Sequence, residues 1–491
     1  MKEKKITIKL FNTMGRKKQE FKPLKPGLVR MYSCGPTVYD YAHLGHFRAY
    51  VFVDVLKRML EFNGLQVKQV MNITDVGHLT SDADTGEDKM EKAARERGKS
   101  AWEIAKFYTK DFFDAMERLN VQKPDKICKA TDHIGEMIDF VKRIEKSGYT
   151  YRTNDGIYFD TSKLRSYGKL AGLDRSKIKQ LKPGARIAFS AEKRNVTDFA
   201  LWKFSPKDEK RQMEWQSAWG TGFPGWHIEC SVMSMKYLGE QFDIHTGGID
   251  HIAIHHTNEI AQSEAVTGKV PARFWLHNNF VMVNGEKMAK SKRNFYTMKD
   301  IEEKGFDSLA LRYLFLTAHY RSKINFTWKS LESAETALEK LRERVSELEK
   351  SEREKTEKKT EKARMETYRK EFLKAINDDL NTAEALKVLW KLVRQEKAIS
   401  NKDKLKLILE FDKVFGLQLE KAKIGKVGKV EKVKLPAAVG KLIKERENAR
   451  KGKDYVQADE IRQRLEKEFG IILEDTPKGA KWKKKTIKEG S

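Results

Sequence analysis

The sequence predicts an α/β protein whose first half is built on a parallel sheet interrupted by an insertion, followed by helices and a small mixed tail. Two observations carry this prediction. Strand, turn, helix and strand follow one another within residues 28–73, which is the βαβ unit of an open parallel sheet. Beyond Thr327, apolar residues recur mostly at helical spacing. Ligands of parallel sheets bind at the carboxyl ends of strands, so functional residues are expected there.

Local signals specify each element of the βαβ unit. Leu28 to Ser33 is a short apolar strand that runs into the turn Cys34-Gly35-Pro36. Apolar residues at helical spacing between Ala49 and Leu60 predict a helix, which Asn63-Gly64 ends. Leu65 to Ile73 then predicts the second strand.

The pattern changes between residues 120 and 220, which indicates an insertion. A helix is predicted over Ile134 to Ser147 and short strands over Tyr149 to Phe159. Sheet-like sequence resumes at Phe242 to His245 and at Trp275 to Val283, so the insertion divides the α/β domain in two. The Glu-, Lys- and Arg-rich stretch from Glu335 to Arg369 is typical of a solvated helix or a charged linker.

These patterns divide the chain into an ordered series of domains. The predicted series is a parallel-sheet domain in two halves (1–119 and 221–326), an inserted domain (120–220), a charged helical connector (327–371), a helical bundle (372–420), a Lys-rich linker (421–435) and a small C-terminal domain (436–491).

The charge balance indicates a polyanionic partner. The chain has 98 Lys and Arg against 71 Asp and Glu, a formal net charge of +27 over 491 residues. Such a charge attracts nucleic acid, although a merely well-solvated surface remains the alternative. Runs of ~18 apolar residues, which a membrane span requires, do not occur. Three cysteines and an N-terminus without an apolar signal segment predict a cytoplasmic protein.

Two short motifs have the chemistry for a nucleotide. His43-Leu44-Gly45-His46 lies between the first predicted strand and helix, where helix N–H groups attract phosphate and imidazoles can donate hydrogen bonds to phosphoryl oxygens. Lys287-Met288-Ala289-Lys290-Ser291 follows an Asn-Gly turn and can neutralise a leaving pyrophosphate. The alternatives are two surface histidines and a basic surface loop.

A third set of residues suits a metal ion. Cys34, Cys230, His255 and Glu259 together supply two thiols, an imidazole and a carboxylate, and the last two share one helical face. This donor set is plausible for Zn²⁺. Buried free cysteines and a helix-surface pair are the alternative, because the spacing is not that of a zinc finger. Cys128 lies outside every motif and is predicted to be a non-ligand.

The two nucleotide motifs together resemble the signature of class I aminoacyl-tRNA synthetases. Further blocks resemble the cysteinyl-tRNA synthetase family along nearly the whole chain. These blocks are Ser33 to Asp40, Asn72 to Val76, Gly225 to Ser231, His255 to Ser263, Asp378 to Thr382 and Leu473 to Trp482. The resemblance implies a Rossmann-like catalytic domain with an inserted connective domain, a helical anticodon-side bundle and a C-terminal anticodon-binding domain.

The resemblance also implies an activity and its residues. The family activates L-cysteine with ATP, accompanied by Mg²⁺, to cysteinyl-adenylate and transfers it to the 3′ end of tRNA(Cys). The implied roles are catalysis by His43, His46, Lys287 and Lys290; ATP binding by these and by Gly45 and Ser291; Zn²⁺ binding, with one ion per chain, by Cys34, Cys230, His255 and Glu259; amino-acid binding by Gly35, Thr37, Thr74, Trp226 and Asp250; and tRNA binding by Asp475 and Trp482. A monomer without membrane contact is expected.

Two alternatives for the function stay open at this level. One is a ligase that transfers activated cysteine to a small amine, and the other is a non-catalytic tRNA-binding relative. The presence of both the helical bundle and the tail favours tRNA. Ala289, where the family usually has Ser, is expected to leave activity intact because both lysines of the motif are present. For Lys292-Arg293 in place of Leu-Gly two alternatives stay open, added phosphate contacts or the replacement of a turn.

Overall fold

A computed structural model describes the chain at residues 7–78, 88–173, 192–206, 210–288, 294–350, 358–395, 399–424, 437–452, 454–469, 471–476 and 479–484. The chain divides into two compact units, residues 1–426 and 427–491. Among the described residues, no helix is long and apolar enough to cross a membrane.

The strands, in chain order, are β1 (Lys9–Asn12), β2 (Lys17–Glu20), β3 (Leu28–Ser33), β4 (Gln66–Ile73), β5 (Lys126–Lys129), β6 (Thr150–Arg152), β7 (Gly156–Phe159), β8 (Phe199–Phe204), β9 (Gly222–Pro224), β10 (Phe242–Gly248), β11 (Ala272–Asn278), β12 (Val281–Val283), β13 (Glu286–Lys287), β14 (Ile324–Phe326), β15 (Ile471–Thr476) and β16 (Gly479–Lys484).

The α-helices, in chain order, are α1 (Leu44–Phe62), α2 (Lys89–Arg97), α3 (Ala101–Arg118), α4 (Ile134–Lys146), α5 (Trp226–Leu238), α6 (His255–Thr267), α7 (Met298–Glu303), α8 (Ser308–Leu316), α9 (Trp328–Lys350), α10 (Lys358–Ile376), α11 (Thr382–Gln395), α12 (Asn401–Phe415), α13 (Ala437–Lys451) and α14 (Tyr455–Phe469).

A parallel sheet forms the centre of the first unit and confirms the predicted α/β class. Its strand order is β11-β10-β3-β4-β5, with every neighbouring pair parallel. This order places β3 in the middle, so the segment that begins at Cys34 and leads to helix α1 starts at the centre of the sheet. Buried apolar side chains such as Val29, Met31 and Val70 fill the sheet, as expected for strands covered on both faces.

The insertion carries its own antiparallel sheet. Its strand order is β6-β7-β8-β9, with Phe159 and Phe199 stacked at its core at a ring distance of 5.1 Å. Strand β5 belongs instead to the edge of the parallel sheet, which therefore takes in part of the 120–220 range expected for the insertion.

The sheet-like stretch from Trp275 to Val283 is divided between two sheets. Strand β11 ends at Asn278 in the parallel sheet, and β12 joins a separate small sheet of order β13-β12-β14. The break occurs at Asn279, whose own side-chain oxygen accepts from the Phe280 N–H at 2.8 Å and thereby turns the chain. The N-terminal hairpin β1-β2 was not predicted, and it makes Leu28–Ser33 the third strand rather than the first.

The charged segment after residue 327 is better packed than predicted. Helix α9 buries five residues spaced alternately by three and four, which is the pattern of an amphipathic helix. They are Leu331, Ala334, Leu338, Leu341 and Val345. Helix α12 packs against it, and α10 and α11 pack on each other and on α12, with Phe372 of α10 stacked on Phe411 of α12 at 4.1 Å.

The second unit is a small α/β structure. Helices α13 and α14 pack on the antiparallel hairpin β15-β16 around Val439, Leu465 and Leu473. Asp475 and Trp482 lie in the two strands, where Asp475 is paired with Ala480 and Trp482 with Leu473. Their side chains lie outside what the structure describes, as does most of the predicted linker, residues 425–436.

Candidate active site

A cavity of about 580 Å³ opens where strands β3, β4 and β10 end and helix α1 begins. This is the carboxyl edge of the parallel sheet, where such folds bind ligands. It collects predicted residues that are far apart in the sequence. The predicted residues that line it are Cys34, Gly35, Thr37, His43, Gly45, His46, Thr74, Trp226, Cys230, Asp250, His255 and Lys287.

The four predicted metal ligands meet at one side of this cavity. Their ligand atoms all lie within 4.8 Å of one another. The Sγ atoms of Cys34 and Cys230 are 3.9 Å apart, and Nε2 of His255 is 3.0 Å from Oε1 of Glu259. Two thiolates bound tetrahedrally to Zn²⁺ at ~2.3 Å would be about 3.8 Å apart. The donor set and its spacing therefore fit a zinc ion.

A second group of donors overlaps this one. Cys34 and Glu259 also come together with His245 and His256. Nε2 of His245 lies 2.8 Å from Oε2 of Glu259, and Nε2 of His256 lies 3.4 Å from the Cys34 sulfur. The set with two thiols is the softer one and suits zinc better. His245 and His256 then orient the carboxylate and the thiol from behind, which is the usual role of partners around a metal site.

Without a cation, the two thiols of this cluster are held in their neutral form. Burial raises the pKa of the Cys34 thiol. The pKa of the Cys230 thiol is raised mainly by its hydrogen bond with Cys34 and further by burial. Burial opposes charging of His255, but its hydrogen bonds to Cys230 and Glu259 raise its pKa to about 10. A bound divalent cation deprotonates coordinating thiols, so the cluster has the form of a site completed by a metal.

The two motif histidines are built into the start of helix α1. His43 is the residue that caps the helix, and its Nδ1 accepts from the Gly45 N–H at 3.0 Å. Nδ1 of His46 accepts from the His43 N–H at 3.2 Å, and the ring centres are 3.9 Å apart. Because both Nδ1 atoms accept, the proton of each neutral ring is on Nε2.

Burial keeps these rings neutral at physiological pH. It lowers the pKa of His43 to about 2, with a further contribution from His46. It lowers the pKa of His46 to about 4, against the opposing charge of Asp250. The pair is therefore a set of neutral N–H donors, which suits hydrogen bonding to phosphoryl oxygens.

Glycine is required at two points of the cavity wall. A Cβ on Gly35 would lie 1.5 Å from the backbone oxygen of Asn72, so strands β3 and β4 meet too closely there for any side chain. A Cβ on Gly45 would lie 2.8 Å from the His43 ring and 3.3 Å from the methyl group of Met288. The second contact brings the histidine motif against the lysine motif.

The described part of the lysine motif borders the cavity on the side of helix α1. Asn284 and Gly285 form the predicted turn between β12 and β13, with positive φ values of 51° and 81°. Lys287 follows, with Nζ 5.3 Å from the centre of the Phe280 ring. Lys290 and Ser291, with Ala289, Lys292 and Arg293, lie outside the described residues.

The predicted amino-acid residues surround the metal cluster. Thr37 and Thr74 form a backbone bridge between the ends of β3 and β4, and Asp250 lies in the turn after β10. The Trp226 ring lies 4.5 Å from the His255 ring, at the start of helix α5. All five predicted residues therefore line the same cavity as Cys34, Cys230 and His255.

Several supporting residues were missed from the sequence. Glu229 is fully buried, accepts from the Thr74 hydroxyl at 2.7 Å and pairs with His78. The side-chain oxygen of Asn72 accepts from the Gly35 N–H at 2.8 Å. His277 bridges His256 to the N-terminal hairpin. Glu229 and Asn72 lie inside the sequence blocks that carry the family resemblance, which is the signal that could have identified them.

The chain matches known families over most of its length. Residues 20–336 match the family described as tRNA synthetases class I (C) catalytic domain. Residues 371–420 match the DALR domain, and residues 432–482 match the cysteinyl-tRNA ligase anticodon binding domain.

Curated relatives and solved structures agree with these matches. The chain is 47% identical to a cysteine–tRNA ligase of Treponema denticola, covering 98% of this chain and all of that protein. It is 49% identical to cysteine–tRNA ligase 1 of Burkholderia lata, covering 96% of each. Its fold is similar to a methionyl-tRNA synthetase of Mycobacterium tuberculosis solved with methionyl-adenylate, at a TM-score of 0.56 and 14% identity, covering 82% of this chain and 92% of the other. These findings confirm the resemblance that the motifs indicated.

Proposed function

Because the chain belongs to the cysteine–tRNA ligase family of class I aminoacyl-tRNA synthetases, we propose that its cavity joins L-cysteine to ATP and then to tRNA. The observation that carries this proposal is the meeting of two unlike sites in one cavity. A buried cluster with two thiols lies at one end and a pair of neutral imidazole donors at the other. Their separate chemistries suit a sulfur-containing amino acid and a nucleotide phosphate.

The metal end selects the amino acid in this proposal. Cys34, Cys230, His255 and Glu259 would hold one Zn²⁺. When bound, zinc supplies a soft cation that prefers a thiolate to a serine hydroxyl. Shape alone gives only ~10–200-fold discrimination between side chains of such similar size, so a chemical filter is needed. Thr37 and Trp226 enclose the amino acid, and the Asp250 carboxylate can accept from its ammonium group.

The histidine end stabilises the charge of the first step. The cysteine carboxylate attacks the α-phosphorus of ATP, and the bond to the bridging oxygen breaks so that pyrophosphate leaves. His43 and His46 donate hydrogen bonds from Nε2 to the phosphoryl oxygens, while Lys287 and Lys290 offset the charge of the pyrophosphate. Gly45 lets the nucleotide approach the start of helix α1, and Ser291 of the lysine motif is proposed to bind ATP as well. ATP is taken with Mg²⁺ in this proposal.

The second step transfers the cysteinyl group to tRNA. A ribose hydroxyl at the 3′ end of tRNA(Cys) attacks the carbonyl carbon of the adenylate, and AMP leaves. The C-terminal unit is proposed to bind the anticodon, with Asp475 as a hydrogen-bond acceptor and Trp482 as a stacking surface for an unpaired base. We further propose a cytoplasmic monomer, as the sequence predicts.

Transfer to a small amine and a non-catalytic role are not favoured. Transfer to a small amine would leave the anticodon-binding match at residues 432–482 without a purpose. A non-catalytic role would leave the motif histidines and the two-thiol cluster in the cavity without one. The experiment is charging of total tRNA with labelled L-cysteine by the purified full chain. Cysteine-dependent and ATP-dependent charging is the expected result, with label on the 3′ nucleotide. Failure to charge any tRNA, or transfer of the label to an aminosugar instead, would contradict the proposal.

A further inference from the structure

Arg48 is a buried cation on helix α1, five residues after His43. Its side chain is 2% exposed, and its four hydrogen bonds to described residues all end on backbone carbonyl oxygens. Burial lowers the pKa of its guanidinium to about 10, which leaves it charged at neutral pH. A buried charge is costly unless its hydrogen bonds are satisfied, so the positions of these carbonyl groups and of Arg48 depend on each other.

Two of the four carbonyl groups lead to the lysine motif. Arg48 Nη1 donates to the oxygens of Asn279 at 3.1 Å and Phe280 at 2.8 Å, and both residues line the cavity. Phe280 is followed directly by β12, which pairs with β13 ending at Lys287. The Lys287 ammonium lies 5.3 Å from the Phe280 ring centre, within range of a cation–π contact. Arg48 is thus connected to Lys287 through Phe280 and the short hairpin β12-β13.

The other two carbonyl groups belong to the segment after helix α8. Arg48 Nη2 donates to the oxygens of His319 at 3.1 Å and Ser322 at 2.5 Å. Tyr320 and Arg321, which lie between these two residues, bind Asn279 as well. The Asn279 backbone N–H donates to the Tyr320 oxygen, and the Asn279 side chain donates to the Arg321 oxygen, each at 2.9 Å. One guanidinium therefore clamps two segments that also bind each other.

This segment is itself fixed from the helical part of the unit. Asp379, between α10 and α11, accepts from the Tyr320 hydroxyl and from the Arg321 guanidinium, both at 2.7 Å. Asp379 has a positive φ of 63°, a conformation that non-glycine residues adopt only when their surroundings hold them there. The segment from His319 to Ser322 is thus restrained by the helical part as well as by Arg48.

We propose that Arg48 is a positioning residue that sets the distance between the histidine pair and Lys287, and so shapes the pyrophosphate end of the nucleotide site. The inference rests on the proposed function, because it assigns Arg48 a part in adenylate formation. Arginine is required since its planar fork can bridge two segments at once, whereas lysine offers a single donor group. Cysteine binding lies at the other end of the cavity and should not depend on it.

The test is ATP–pyrophosphate exchange by the full chain carrying Arg48→Lys. We expect kcat to fall ~10–100-fold, since misplacement of a charged group by about 1 Å has effects of that size. The KM for cysteine should stay within about twofold of wild type, because the metal cluster is not touched. The control is Arg58→Lys on the same helix, whose guanidinium binds Asp54 and the carbonyl oxygens of Asn120 and Lys413, none of which lines the cavity. It should keep a kcat near wild type.

A second variant keeps the test valid if Arg48→Lys folds poorly. Phe280→Leu leaves Arg48 and its carbonyl partners in place and removes the ring beneath Lys287. It should lower kcat without changing the KM for cysteine. The inference would be overturned if kcat fell no further for Arg48→Lys than for Arg58→Lys, or if Phe280→Leu kept a wild-type kcat. Either result would leave the proposed function standing. Wild-type protein that exchanges no pyrophosphate with cysteine would instead overturn the proposed function on which it rests.

Discussion

Replacing Gly35 with alanine perturbs the cavity where the chain after β3 approaches the backbone of β4 closely. The added Cβ would lie 1.5 Å from the Asn72 oxygen and 2.6 Å from its carbonyl carbon. Real Cβ atoms essentially never approach within 3.0 Å of other atoms, so the ends of β3 and β4 must separate by about 1.5 Å. Since the contacting atoms belong to the backbone, no side chain can rotate away to relieve the clash.

The displacement falls on residues with proposed roles. Cys34 precedes Gly35, and Thr74 of the amino-acid pocket follows Asn72 after one residue. A misplacement of about 1 Å can cost ~100-fold in rate, so we expect kcat/KM for cysteine-dependent ATP–pyrophosphate exchange to fall at least ~100-fold. Metal content, measured on the same preparation, should fall with it because one ligand has moved.

The matched control is Gly135→Ala in helix α4. Gly135 lies in the first turn of this helix, where a Cβ meets nothing within 4 Å, and alanine has the higher helix propensity. Exchange activity should stay at the wild-type level and the thermal midpoint should rise slightly. If Gly35→Ala retained exchange within threefold of the control, the close approach of β3 and β4 would not be what positions the thiol, and the reasoning would fail.

Three further predictions concern other parts of the chain. Trp482→Ala should raise the KM for tRNA and leave pyrophosphate exchange unchanged; equal tRNA kinetics would count against anticodon stacking. Because burial lowers the pKa of His46 to about 4, the unfolded chain binds a proton that the folded chain does not, and stability falls as pH drops from about 6.5 towards 4. His46→Gln should make this fall in the thermal midpoint shallower, and an identical pH dependence would refute it. Arg312→Met removes a fully buried partner of Asp54 and should cost about 3–5 kcal/mol in urea unfolding, whereas an unchanged urea midpoint would show that the pair adds little.

Much of the fold was predictable because its signals are local. The strand Leu28–Ser33, the helical periodicity after His43 and the Asn284-Gly285 turn all lie where sequence rules place them, whereas the turn follows Pro36 rather than forming at Cys34-Gly35-Pro36. The break at Asn279 escaped prediction since it depends on the asparagine side chain and on contacts with a distant segment. The β1-β2 hairpin escaped because its strands are short, and the second carries no apolar residue to mark a buried face.

The candidate site residues that the structure brings together were predictable from the sequence, whereas the residues that hydrogen-bond to them were not. Cys34, Cys230, His255 and Glu259 are identified by residue type and by resemblance, and the structure brings them together. The histidines behind them join the cluster only through tertiary contacts, such as that of His245 with Glu259, which no spacing rule reveals. Arg48 is similar, because its partners are backbone carbonyl groups from segments more than 200 residues away.

The central claim is that the two-thiol cluster selects cysteine through a bound metal. The most direct measurement is the ratio of kcat/KM for L-cysteine to that for L-serine in ATP–pyrophosphate exchange, before and after removal of metal with a chelator. The account predicts a ratio far above the ~10–200-fold that shape alone provides, a loss of cysteine activation on chelation and its return when Zn²⁺ is restored. A serine rate within about 100-fold of the cysteine rate, or exchange that survives chelation unchanged, would contradict it.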